Sequence, residues 1–313
     1  MGTGSRSLIY YNRRVKRKYI SSLVLVLVFL IMFMGLWTVW PKQPAPVKSG
    51  KMKVVTSFYP LYFLANEIGK EKVEVTNLTP AGVEPHDYEL TARDIMAVQQ
   101  AKLLILNGGR LEAWGDKVKK DLKGSGLAVL EVGESLIENN DPHVWLSQTK
   151  YKQELWLVEK KLVELDPLNE EYYLSRATDL DQRLTKQKEE FDRGLRSCRL
   201  KDFITSHQAF GYLANDFGLR EVAIAGLTPE EEPSTKQLAE VAKIAKDKEI
   251  RFIFFEKLVN PKLSETIAQE VGAKTLVLDP AEGISDNDLK LGKNYFTIMA
   301  ENLNNLRIAL ECQ

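Results

Sequence analysis

Histidine is almost absent from this chain, which has only His86, His143 and His207. Cysteine is scarcer still, with only Cys198 and Cys312. Charge of one sign is missing as well: Lys plus Arg and Asp plus Glu both number 43, for a net charge of zero. That balance argues against nucleic acid as a partner, because a nucleic-acid groove needs a marked basic excess. No HExxH occurs, so the helix signature of zinc hydrolases is lacking. The two cysteines leave two readings, a pair of buried thiols or one disulfide. A bond between them would close a loop of more than about 100 residues, worth roughly 4–5 kcal/mol in the chain-entropy picture.

Long apolar runs are lacking except for one, Ser21 to Trp40 (SSLVLVLVFLIMFMGLWTVW). At 1.5 Å per residue it spans about 30 Å, the thickness of a bilayer's hydrocarbon core. Arg6, Arg13, Arg14, Lys16, Arg17 and Lys18 precede it and no charge follows directly. That asymmetry predicts a cytoplasmic N-terminus (1–20), a single-pass anchor (21–40) and a body outside the cytoplasm. The run is longer than a signal-peptide core, and no small-residue cleavage site or following cysteine is evident, so an uncleaved anchor is expected. Residues 41–51, PKQPAPVKSGK, read as a Pro-rich linker.

Beyond the linker, strands alternate with helices of about ten residues, which predicts βα units and mainly parallel sheets. Strands are expected near 53–57, 73–78, 103–106 and 127–132. From Ser147 to Ser197 the pattern turns helical, interrupted at Asp166-Pro167 because proline disrupts a helix interior. Its second piece, Leu168 to Leu195, carries Tyr173, Ala177, Leu180, Leu184, Phe191 and Leu195 as one apolar stripe along about 40 Å.

The first half then returns. At a constant offset, Thr56-Ser57 answers Thr205-Ser206, Leu64-Ala65-Asn66 answers Leu213-Ala214-Asn215, and Leu78-Thr79-Pro80 answers Leu227-Thr228-Pro229. The fold class expected is therefore α/β, with two related lobes, each a four-stranded mainly parallel sheet, joined by one long rigid helix. The lobes fall at 52–147 and 198–313, with the helical connector at 148–197. Further strands are expected at 252–255 and 274–278, before a final helix from Tyr295 to Leu310.

Open α/β sheets bind ligands beyond the carboxyl ends of their strands. His86, His143, His207 and Asp279 all fall at such positions, two from each lobe, and would face one another across a cleft. A lone histidine in a turn such as Asp141-Pro142-His143 is ordinarily a hydrogen-bonded loop residue. Three histidines at strand ends, with no other in the chain, point instead to a shared metal. Glu84 and Asp87 flank His86, Asp141 precedes His143, and Glu256 ends a strand. A carboxylate accepting an imidazole's other N–H would fix its tautomer, although each could equally be a solvated loop charge.

The motifs GVEPHDYEL (82–90), DPHVWLS (141–147), TSHQAFGYLANDFGL (205–219) and LDP (278–280) carry a specific resemblance over about residues 52–312. The chain resembles the zinc- and manganese-specific substrate-binding proteins of ABC importers, the cluster A-I class. That resemblance implies one metal ion between two lobes, with ligands at His86, His143, His207 and Asp279, and a Cys198–Cys312 disulfide. It further implies a membrane permease and its ATPase as partners, a monomeric protein and no enzymatic activity. Three imidazoles and one carboxylate suit tetrahedral zinc, whereas manganese prefers more oxygen. Manganese binding, a surface adhesin or metal sink without transport, and a zinc hydrolase are the alternatives. The His-rich loop of many zinc-specific members is missing, since Gly133 to Asn140 reads only GESLIENN.

Overall fold

The computed structural model describes residues 50–313, and Lys51–Gln313 forms one compact unit. The basic N-terminus, the apolar span at 21–40 and most of the linker lie outside the described residues. No helix among the described residues is long and apolar enough to cross a membrane.

Two sheets organise the chain. The first contains β1 (Met52–Thr56), β2 (Val73–Asn77), β3 (Leu103–Leu106) and β4 (Ala128–Glu131), in the order β2-β1-β3-β4, all parallel. The second contains β5 (Asp202–Thr205), β6 (Arg220–Ala223), β7 (Phe252–Phe255) and β8 (Lys274–Val277), in the order β6-β5-β7-β8, also all parallel. The identical order is the structural counterpart of the sequence repeat. Leu103–Leu106 is buried at every residue, as expected for a parallel strand covered on both faces. In each sheet the winding direction reverses between the first and third strands, so the ends of β1 and β3, and of β5 and β7, frame a crevice.

Helices α1 (Tyr59–Gly69), α2 (Ala92–Gln100) and α3 (Gly115–Asp121) belong to the first sheet. Thr91 and Asp94 form a capping box at the start of α2, satisfying two otherwise orphaned amides. Next come α4 (Gln148–Leu165) and α5 (Glu170–Leu195). The second sheet carries α6 (Gly211–Asp216), α7 (Thr235–Asp247), α8 (Lys262–Val271), α9 (Asp286–Lys290) and α10 (Tyr295–Ala309).

The stripe on α5 is buried at each of its six expected positions, with Gln187 added between Leu184 and Phe191. The helix starts later than its apolar pattern suggests, because Pro167–Asn169 forms a separate 3-10 turn and Leu168 is 96% exposed. Proline sets the first residue of that turn, and α5 begins only after it. One large apolar cluster draws on α1, α4, α5 and α10 together. Tyr295 lies between Tyr151 at 4.4 Å and Phe63 at 5.8 Å, an aromatic seam joining the two halves.

Glu154 on α4 sits inside this core, fully buried, and neither of its oxygens has a hydrogen-bond partner among the described residues. Burial, reinforced by Glu112, raises its pKa well above the usual carboxylate range. A raised folded-state pKa gives stability that is complete below the unfolded value, about 4.3, and declines as pH rises by about 1.4 kcal/mol per unit. Glu154→Gln is neutral at every pH. It should therefore melt above the parent at pH 8 by a margin that closes near pH 4.5. Coincident melting curves at pH 8 would show that the carboxyl is not held neutral.

Candidate metal centre

The crevices of the two sheets face one another, and the functional side chains leave from strand ends or from the loops that follow them. His207 follows β5 after Ser206. Glu256 is the first residue past β7, across the reversal point of that sheet. His207 Nδ1 lies 2.7 Å from Glu256 Oε1, and Ser206 Oγ donates to the same carboxylate. In the first sheet, Ser57 Oγ donates to the buried carboxylate of Glu112 at 2.5 Å, and the amides of Asn107 and Gly108 also donate to it. Asn107 Nδ2 then holds Pro142 O at 2.9 Å, which anchors the loop carrying His143.

His143 is fully buried. Its Nδ1 lies 2.7 Å from Asp141 Oδ1, and its backbone amide donates to the same oxygen at 3.0 Å. A carboxylate at Nδ1 keeps the proton on that nitrogen in the neutral ring and leaves Nε2 as the free lone pair. The same holds for His207 with Glu256. Both Nε2 atoms consequently point at one centre.

The third imidazole comes from the loop after β2, where His86 N donates to Glu84 Oε1 at 3.4 Å. His86 Nε2 and His207 Nε2 each lie 3.3 Å from His143 Nε2. Glu282 Oε1 completes the group at 3.2 Å from His143, 3.6 Å from His86 and 3.7 Å from His207. The four donor atoms all fall within 4.8 Å of one another. A tetrahedral zinc ion with donors at about 2.0–2.1 Å has donor-to-donor edges of about 3.3–3.4 Å. The three edges that meet at His143 Nε2, 3.2–3.3 Å, match that polyhedron, and the edges from Glu282 to His86 and His207 are 3.6 and 3.7 Å.

Asp279, the carboxylate anticipated from the LDP motif, is not in this group. Its Oδ2 pairs with Lys257 Nζ at 3.2 Å, and its Oδ1 accepts the Ala281 amide at 2.9 Å. Asn302 grips its backbone on both sides, accepting from Asp279 N at 2.9 Å and donating to Asp279 O. Ala281 then takes a left-handed conformation (φ 57°) that turns the chain and brings Glu282 inward. Asp87 is exposed, and its charge adds to burial in raising the pKa of Glu230 in the second lobe. Glu84 stays beside the site, with Oε2 buried and unpartnered among the described residues.

The electrostatics follow from this packing. Burial pushes Glu84 up to about 10, and the neighbouring Glu282 adds to the shift. Burial opposes charge on His143 and His207, yet their carboxylate partners outweigh it and raise both pKa values. Burial works against the Glu282 anion too, but the three imidazoles hold that group well below the usual carboxylate range. Glu282 is thus the fixed negative charge among three nitrogen donors. Sequence pattern alone did not single it out, because LDPAEG offers two acids and only the backbone turn decides between them.

Residues 54–309 match the family described as zinc-uptake complex component A, periplasmic. The high-affinity zinc uptake system protein ZnuA of Bacillus subtilis is 37% identical over 290 residues, covering 86% of this chain and 91% of that protein. The zinc-binding protein AdcA of Streptococcus pyogenes is 33% identical over 92% of this chain, which spans only 61% of AdcA. Among solved structures, the Zn(II)-bound ZnuA-like domain of Streptococcus pneumoniae AdcA superposes with a TM-score of 0.75 at 32% identity, over 84% of this chain and all of that domain.

Proposed function

The chain belongs to the periplasmic zinc-uptake component A family, and from that membership we propose that it takes up one zinc ion through His86, His143, His207 and Glu282. It is the extracytoplasmic binding component of an ABC importer, a transport component and not an enzyme. It works with a membrane permease and an ATPase, to which the ion passes. The observation that carries the ligand set is the convergence of three Nε2 lone pairs and one carboxylate oxygen on a single point, with Nδ1 of His143 and His207 each occupied by a carboxylate.

Three nitrogens and one oxygen at tetrahedral spacing favour zinc over manganese, which prefers more oxygen donors. In this reading Asp279 keeps a supporting role through Lys257 and Ala281. The lobes are assigned to 52–147 and 198–313, with the connector at 148–197. A monomer held at the membrane by residues 21–40 is proposed on the sequence pattern alone.

Competitive chelator titration with zinc and manganese tests the metal, with one zinc equivalent bound and manganese weaker by orders of magnitude. Equal affinities would overturn the choice of zinc. Proton linkage tests the ligands. Because the His143 and His207 pKa values are raised, zinc must displace protons held more tightly than by free imidazole. Apparent affinity should start falling near neutrality and steepen below about pH 6. Calorimetry in buffers of different ionisation enthalpy should show net proton release at pH 7, and a flat profile from pH 8 to 5 would contradict histidine ligation.

A further inference from the structure

Two of the four donors are joined by a bridge that the ligand list does not include. Trp145 lies two residues after His143, and Pro280 lies two residues before Glu282. The indole Nε1 of Trp145 donates to Pro280 O at 2.7 Å, with Trp145 itself fully buried. Its ring packs against two others: Phe58 meets it edge-on at 4.7 Å, and the His143 ring lies 5.3 Å away. Its own carbonyl accepts from Tyr295 Oη at 2.7 Å. The indole is therefore a rigid donor whose position is set before any ion arrives.

The recipient loop needs such a donor. Pro280 is followed by the left-handed Ala281 and then by Glu282, whose oxygens have no hydrogen-bond donor other than the imidazoles among the described residues. Asp279 and Asn302 hold the loop from the side of the second lobe. On the side of the first lobe, Trp145 grips it one peptide from the turn. Without this donor the buried carbonyl would be unpaired, and the Pro280–Ala281 peptide, one residue before Glu282, would be held only through the Ala281 amide on Asp279.

We propose that Trp145 is a positioning residue for Glu282, fixing through the Pro280 carbonyl the distance of this carboxylate from His143 Nε2. The inference rests on Glu282 being a zinc ligand. It gives one indole N–H of the first lobe a share, beside Asp279 and Asn302, in setting the spacing of two ligands from different lobes.

The test is a double-mutant cycle on the full chain, with zinc affinity measured by chelator competition. Trp145→Phe removes the N–H but shortens the ring. Replacement of Trp145 by β-(3-benzothienyl)alanine keeps its size and removes only the donor, so a folding defect in the phenylalanine variant does not decide the outcome. Outer-sphere partners of metal ligands typically contribute about 10- to 100-fold in affinity, and a loss in that range is expected for the benzothienyl variant. On a Glu282→Gln background the same replacement should change affinity by less than about twofold. A full loss persisting on that background means that Trp145 acts through His143 or through packing, and overturns the proposal. Unchanged affinity in the benzothienyl variant, with Glu282→Gln weakened, also overturns it. If Glu282→Gln itself binds like the parent, the ligand assignment is what fails.

Discussion

His143→Ala should bind zinc about 60- to 700-fold more weakly than the parent chain, the largest effect expected of any single substitution here. Structural zinc sites with four donors are worth about 10–16 kcal/mol, or roughly 2.5–4 kcal/mol per donor, and each 1.4 kcal/mol is about a factor of ten. His143 is the right donor to remove. It is the common neighbour of the other three, with contacts of 3.2–3.3 Å to His86, His207 and Glu282. Its loss would also leave Asp141 without the imidazole it orients and open space beside Trp145. The readout is chelator competition at pH 7.5, with circular dichroism to show that the metal-free variant is folded. A dissociation constant within threefold of the parent would remove the central claim about this site.

The second large effect concerns stability rather than binding. Cys198 and Cys312 form a disulfide with a sequence separation of 114. A loop of that length constrains the unfolded chain by about 4–5 kcal/mol. At roughly 2–4 °C per kcal/mol for a body of this size, Cys198→Ser with Cys312→Ser should lower Tm by about 10–15 °C. Backbone bonds from Leu200 N to Leu310 O and from Gln313 N to Ser197 O zip the same two segments, so the reduced protein should still fold. Zinc affinity at 20 °C should be unaffected, because the donor nearest in the chain, His207, is separated from Cys198 by strand β5, which its sheet holds in place. Two thiols open to alkylation in the unreduced, denatured protein would refute the bond itself.

Periodicity gave the architecture, because it reports burial, and burial fixes elements. The strand at Leu103–Leu106 was legible as an unbroken apolar run, and α5 as a stripe at helical spacing. The internal repeat implied one topology used twice, which the two sheets display. The failures lie where backbone conformation, not residue type, decides direction. Nothing in LDPAEG distinguishes Asp279 from Glu282 except a left-handed Ala281 and a lysine that faces Asp279 from β7's end. Leu168 satisfied the helical pattern yet lies outside α5, because Pro167 imposes its own turn. Glu154 was invisible for the opposite reason. A glutamate on a charged helix looks like surface until the packing of α4 against its neighbours is known.

The serine after the first strand of each lobe, Ser57 and Ser206, donates to a buried carboxylate, but the two acids differ in origin. In the second lobe it is Glu256, the first residue past β7. The matching position in the first lobe is Asn107, and the acid is supplied by Glu112, fully engaged by main-chain amides. Likewise Phe58 stands where the other lobe has His207, its ring packed on Trp145. The two crevices of one topology therefore differ in kind: the first holds the indole and the His143 loop in place, while the second supplies an imidazole with an acid behind it. Two crevices of the same topology thereby serve one shared site rather than two.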